Sequence, residues 1–122
     1  MFHVTVHRNL AWRRVRGGRR VGSALPPLPG VYAYASVDDY QGLPLALEWV
    51  YIGQALHLSQ RVGQHDPVRE ANPGLSRWLS EHGGRSQLWY ATVDAADLDE
   101  VEQDLIRMIR PKYNRRLYGG IR

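Results

Sequence analysis

A small α/β domain, with a short, mainly antiparallel three-stranded sheet flanked by helices, is the fold that this sequence predicts. Three observations lead there. Residues 31–36, 45–52 and 87–93 are rich in β-branched and aromatic side chains and read as strands. Residues 58–65, 73–82 and 97–110 read as helices, and a proline cluster, Pro26-Pro27-Leu28-Pro29-Gly30, separates these elements from a basic N-terminal stretch. At 122 residues a single folded unit is expected, read as an Arg-rich arm over 1–25 and a body over 26–122.

Along the chain, residues 2–7 alternate like a strand, and residues 12–21 read as a hairpin turning at Gly17-Gly18. In the first strand of the body Tyr32 and Tyr34 share a face. In the second, Trp49 and Tyr51 share one, opposite Val50 and Ile52, and a polar connection with Asp38-Asp39 and Gly42 joins the two as an antiparallel pair. Leu75, Trp78 and Leu79 have helical spacing and Gly83-Gly84 ends their helix; Trp89 and Val93 lie on one side of the third strand. The last helix is acidic at its start and basic at its end, and Pro111 stops it.

Composition narrows the chemistry. With no Cys, a disulfide framework, a thiolate metal site and a Cys nucleophile are excluded. The N-terminus lacks the apolar stretch of a signal peptide and no later run could span a bilayer, so a cytoplasmic protein with no membrane partner is expected. The net charge of +4 is unevenly spread: no acidic residue precedes Asp38, acidic side chains gather between Asp94 and Asp104, and every charge from Arg107 onward is positive. Phosphate backbones suit such basic ends, because each cation that neutralises a phosphate releases counterions. A solvated surface in an arginine-rich protein, fifteen Arg to one Lys, would look the same.

One acidic residue stands out. At about 100° per residue from Leu98, Glu102 falls at about 40°, between Ile109 at about 20° and Ile106 at about 80°, inside the apolar stripe of the last helix. Asp99, Glu100 and Asp104 fall on its margin or on the polar face. A carboxylate on a buried face is costly unless it is paired, hydrogen-bonded or bound to metal, so Glu102 is either half of a buried ion pair or a ligand.

Gly30-Val31-Tyr32 and Tyr51-Ile52-Gly53, followed by Arg61 and by Glu102 ahead of Pro111-Lys112-Tyr113-Asn114, resemble the GIY-YIG nucleases, over residues 29–114. Valine in the first triad keeps a β-branched residue there. The resemblance implies a DNA endonuclease that uses one divalent cation, Mg²⁺ or Mn²⁺, held by Glu102. It implies that Tyr32 or Tyr51 helps a water attack phosphorus, although a free phenol titrates near pH 10 and needs positive charge nearby to act at neutral pH. Arg61 matches the arginine that stabilises the scissile phosphate, and His65, one turn further on, matches a histidine of some members. Asn114 would position the site or touch the phosphate.

Other members have Lys after the second triad where this chain has Gln54. Gln54, Lys112, Arg115 and Arg116 are expected to contact DNA, together with Arg13, Arg14, Arg16, Arg19 and Arg20 of the arm. His57 and the His3/His7 pair read as structural or surface residues. The rival reading is a catalytically silent nucleic-acid-binding module acting through a partner protein. Selection of substrate by a partner or by self-association is left open.

Overall fold

The computed structural model of the chain describes residues 10–15, 25–63, 74, 77 and 86–114, without the side chains of residues 61–63. A single antiparallel sheet runs through them: β1 (Arg13–Val15), β2 (Gly30–Tyr40), β3 (Leu43–Ala55) and β4 (Ser86–Thr92), in the order β1-β4-β2-β3. The short helix α1 (Leu58–Gly63) follows β3, and α2 (Leu98–Ile109) follows β4 by way of a 3₁₀ turn at Ala95–Asp97. The α/β architecture matches the sequence expectation. The sheet, however, has four strands rather than three. Arg13–Val15, expected within a projecting ribbon, instead pairs with Tyr90, Trp89 and Leu88 of β4. The strand at 2–7, the turn at Gly17-Gly18 and most of the helix at 73–82 lie outside the described residues.

The connection expected around Asp38-Asp39 is shorter than its polarity suggested. Both aspartates continue β2, and the turn is confined to Gln41 and Gly42, at φ 53° and 92°. Two successive left-handed residues are what a two-residue hairpin requires, and the Gly42 N–H donates to Asp39 Oδ2 at 3.1 Å.

A second departure decides which side chains share a face. The ladder between β2 and β3 slips at Tyr34/Ala35, where Tyr34 opposes Tyr51 but Ala35 opposes Trp49, leaving Val50 as the extra residue of a bulge. Simple alternation, which puts Val50 with Ile52 and Trp49 with Tyr51, therefore fails. Val50 and Tyr51 pack with Tyr32, Tyr34, Leu58 and Leu88. Ile52 and Trp49 pack with Val31, Ala33 and Ala91, under Leu98, Val101, Leu105 and Ile106 of α2. α2 thus covers one face, and the tyrosines gather on the other.

Two irregular segments hold this arrangement. The proline stretch docks α1, since Pro26 and Leu28 carbonyls accept from the N–H groups of Ser59 and Leu58, at 3.2 and 3.0 Å, and Pro29 O accepts from Val93 N–H at 3.0 Å. Gln60 N–H donates to His57 Nδ1 at 3.3 Å, which gives that histidine a structural part. At the other end α2 terminates on Arg110 in the left-handed conformation, and residues 111–114 turn back along the free side of β3. Among the described residues no helix is long and apolar enough to cross a membrane.

Candidate active site

The two triads lie opposite each other, Tyr32 against Gly53 and Gly30 against Ala55. Their glycines are required by close approach. A Cβ on Gly53 would stand 2.5 Å from both Cζ and Oη of Tyr32, so the phenol crosses directly over the backbone of the second triad. A Cβ on Gly30 would collide with Ala91 O and with the Leu58 side chain. The Tyr32 ring is wholly buried, with centroids of Tyr51 and Tyr34 each 6.2 Å away, the first tilted by 39° and the second nearly perpendicular at 85°. Tyr51 is only half-buried.

Gln54, the residue after Gly53, turns to the α2 side. Its Nε2 donates to Glu102 Oε1 at 2.8 Å and to Asp99 Oδ1 at 2.6 Å. Among the described residues Glu102 is therefore not half of an ion pair, nor is it fully buried: it lies partly buried and is held by an amide. Its burial raises the carboxyl above the ordinary value, the Gln54 hydrogen bond works against that, and the negative charge of Asp99 adds to it. The helical wheel placed Glu102 correctly at the packed face but missed Asp99, which is exposed yet joins Glu102 through a residue 45 positions away. It also put Asp104 on the margin or polar face, where a charge costs little. Asp104 is in fact buried, with Arg107 Nη1 at 3.4 Å. Among the described residues no group of three or more His, Asp or Glu converges.

Asn114 is buried and engages Ile52, the middle residue of the second triad, with both ends of its amide: Nδ2 donates to Ile52 O at 2.7 Å and Ile52 N–H donates to Oδ1 at 2.8 Å. Tyr113 N–H donates to Val50 O at 2.8 Å and Lys112 N–H to Trp49 O at 3.3 Å. The Pro-Lys-Tyr-Asn element is thus the cover of an otherwise open sheet edge. The Lys112 ammonium sits 5.5 Å from the centroid of the Tyr113 ring, and the side chain is exposed.

Of the remaining expected residues, Arg13 and Arg14 are exposed on the edge strand β1. Arg61 lies on α1, which starts three residues after the end of β3, and its side chain is outside the description. His65, Arg16, Arg19, Arg20, Arg115 and Arg116 lie outside the described residues. Tyr32, Tyr51 and Asn114 are brought together around Gly53 and Ile52, and Glu102 reaches the adjoining Gln54 from the opposite face.

No family model matches the chain. It is 30% identical over 95 residues to the UvrABC system protein C of Hydrogenobaculum sp. (strain Y04AAS1), a match that takes in 78% of this chain and 15% of that protein, so the chain spans only a small part of its relative's length. A search of solved structures finds the crystal structure of the GIY-YIG N-terminal endonuclease domain of UvrC from Thermotoga maritima, a point mutant bound to its catalytic divalent cation. The identity is 27%, with a TM-score of 0.48, over 72% of this chain and 83% of that one. Facing triads whose glycines admit the Tyr32 ring and the Leu58 side chain, an asparagine fastened to the centre of the second triad, and a sequence match across more than three quarters of the chain lead to one conclusion: the chain carries a GIY-YIG domain.

Proposed function

We propose that this chain is a DNA endonuclease that hydrolyses phosphodiester bonds and depends on one divalent cation. The observation that carries the reading is that two consecutive residues at the end of β3 are engaged from opposite faces of the sheet, Gly53 by the Tyr32 phenol and Gln54 by the Glu102 carboxylate. Tyr32 is 0% exposed, which suits a part in shaping the site. Tyr51, half-buried beside it, is the phenol that can meet solvent. Its Oη takes the part of orienting the attacking water and, as the phenolate, of accepting its proton. Arg61, carried on α1 just after β3, has the part of stabilising charge on the phosphoryl oxygens, with His65 as a further polar group on that side.

The donor set fits a hard cation. Glu102 offers a carboxylate in a partly buried position that leaves room for the waters Mg²⁺ or Mn²⁺ retains. Bound there, such a cation would supply electrostatic screening of the leaving oxygen. Gln54 spends both amide hydrogens on carboxylates, so holding Glu102 describes its part better than contacting DNA. Lys112, Arg13 and Arg14 supply exposed positive charge for phosphates, with Arg16, Arg19, Arg20, Arg115 and Arg116 extending it in sequence.

The test is cleavage of supercoiled plasmid, short duplexes and branched DNA with Mg²⁺, Mn²⁺ or EDTA, by wild-type protein, Glu102→Gln and Tyr51→Phe. Cleavage should need the cation and vanish in Glu102→Gln with DNA affinity retained. Tyr51→Phe should lose about 10²- to 10⁴-fold, the usual worth of general-base catalysis. Binding without cleavage by the wild type, under every metal condition, would replace this reading with the silent binding module.

A further inference from the structure

The amide of Gln54 is saturated as a donor. An NH₂ group has two hydrogens, and the two acceptors at 2.6 and 2.8 Å from Nε2 belong to different carboxylates, Asp99 Oδ1 and Glu102 Oε1. Chemistry fixes the orientation of the group, because the flipped amide would set its oxygen against two carboxylates. Asp99 and Glu102 are three residues apart on α2, so both rise from one side of the helix and Gln54 bridges them from β3. A Glu side chain has three rotatable bonds, and a single hydrogen bond to an equally mobile Gln would leave both free to swing. The second acceptor removes that freedom from the amide.

We propose that Asp99 is a positioning residue for Glu102, acting through the side-chain amide of Gln54. Asp99 pins one N–H of Gln54, which leaves the other aimed at Glu102 Oε1 and keeps that carboxylate in one rotamer before any cation arrives. The inference rests on the reading of Glu102 as the cation ligand. It also accounts for an uncharged residue at the position after the second triad. With an acidic partner one turn back on α2, an amide orients the ligand without putting a competing positive charge beside it.

A bare acidic residue in the first turn of a helix would be explained by the helix dipole alone. The two explanations, and a third in which Asp99 merely adds negative charge, separate by substitution. Asp99→Asn keeps an oxygen to accept from Gln54 and removes the charge; Asp99→Ala removes both. Calorimetric titration of Mg²⁺ and Mn²⁺ into DNA-free protein should show Asp99→Ala weakened by about tenfold and Asp99→Asn by less than about threefold, the lower end of what outer partners of metal ligands contribute. In a Gln54→Ala background, Asp99→Ala should weaken binding no further. Cleavage at saturating cation should be nearly unchanged in Asp99→Ala while the cation concentration for half-maximal rate rises. Equal losses in Asp99→Asn and Asp99→Ala, or additive losses in the Gln54→Ala background, would overturn the proposal in favour of a direct charge effect.

A readout independent of activity is the pair of side-chain amide proton resonances of Gln54. Asp99→Ala should move one of them strongly, and Asp99→Asn should largely restore it. If the wild type cleaves no DNA, the nuclease reading fails, yet these resonances still decide whether Asp99 holds Gln54; resonances indifferent to Asp99→Ala would sink the positioning role whatever the protein cleaves.

Discussion

Asn114 serves Ile52 as a neighbouring strand would, accepting its N–H and donating to its carbonyl across a separation of 62 residues. β3 is an edge strand, and at this point its outward polar groups are buried. Asn114→Ala strips both partners at once. Leaving a buried donor and acceptor unsatisfied costs about 1–3 kcal/mol for a group, so a loss of roughly 2–4 kcal/mol is expected. Urea unfolding followed by circular dichroism reads it directly, and a midpoint unchanged from wild type would show that water replaces the amide without penalty.

Gly53→Ala is expected to destabilise by about 1–3 kcal/mol, the usual cost of overpacking. The new methyl would meet Cζ and Oη of Tyr32 at 2.5 Å, and that ring, fully buried between Tyr34 and Tyr51, has nowhere to swing. Near-ultraviolet circular dichroism should register the displaced tyrosine alongside the loss in urea midpoint. Wild-type stability and spectrum together would mean the ring has room that the packing does not suggest.

Glu102 gives a pH dependence whose sign can be worked out. Burial raises its carboxyl above the ordinary value of 4.5. A group that binds its proton more tightly in the folded state than in the unfolded one stabilises the fold at pH below the ordinary value, and that contribution is lost as pH rises through the folded value. Glu102→Gln carries no charge to desolvate and keeps an acceptor for Gln54. In EDTA the variant should therefore equal or exceed wild type in stability at pH 7, and the difference should disappear as pH falls below 4.5. Urea midpoints at several pH values check this; a variant weaker at pH 7 and equal at pH 4 would reverse the sign.

Arg13 and Arg14 stand exposed on β1 beside β4, fixed in the sheet instead of hanging on a free ribbon. If each contacts a phosphate, changing both to Gln should flatten the slope of log affinity against log salt by about 1.8, since each contact contributes roughly 0.9. Titration of duplex DNA at several salt concentrations measures it. An unchanged slope would assign DNA binding to other cations.

What was legible in the sequence was what depends on local period. Glu102 could be placed on the packed side of α2 because the hydrophobic spacing of Leu98, Val101, Leu105 and Ile106 is a property of the helix itself. The antiparallel pairing of β2 with β3 was legible for the same reason, whereas the triads were legible through their resemblance to a known family. Val50 was misplaced because a bulge is set by the pairing of two strands, and nothing within 45–52 announces the extra residue. Arg13–Val15 was assigned to an arm because three residues carry too little pattern to reveal that β4 would take them as an edge partner. Asp99 was passed over for a related reason: its significance lies in Gln54, which only the packing of α2 on the sheet brings near.

The fastening of Asn114 to Ile52 also sets an order of events. Sixty-two residues must be available before the contact can close, and contacts so distant in sequence carry a large loop-closure cost that assembled neighbours reduce. During synthesis the hairpin, with Tyr32 and Tyr51, exists well before the segment that seals its edge. The second triad reaches its final form only when the chain has been made through residue 114, so a nascent chain holds the parts of a cutting site without the bolt that locks them.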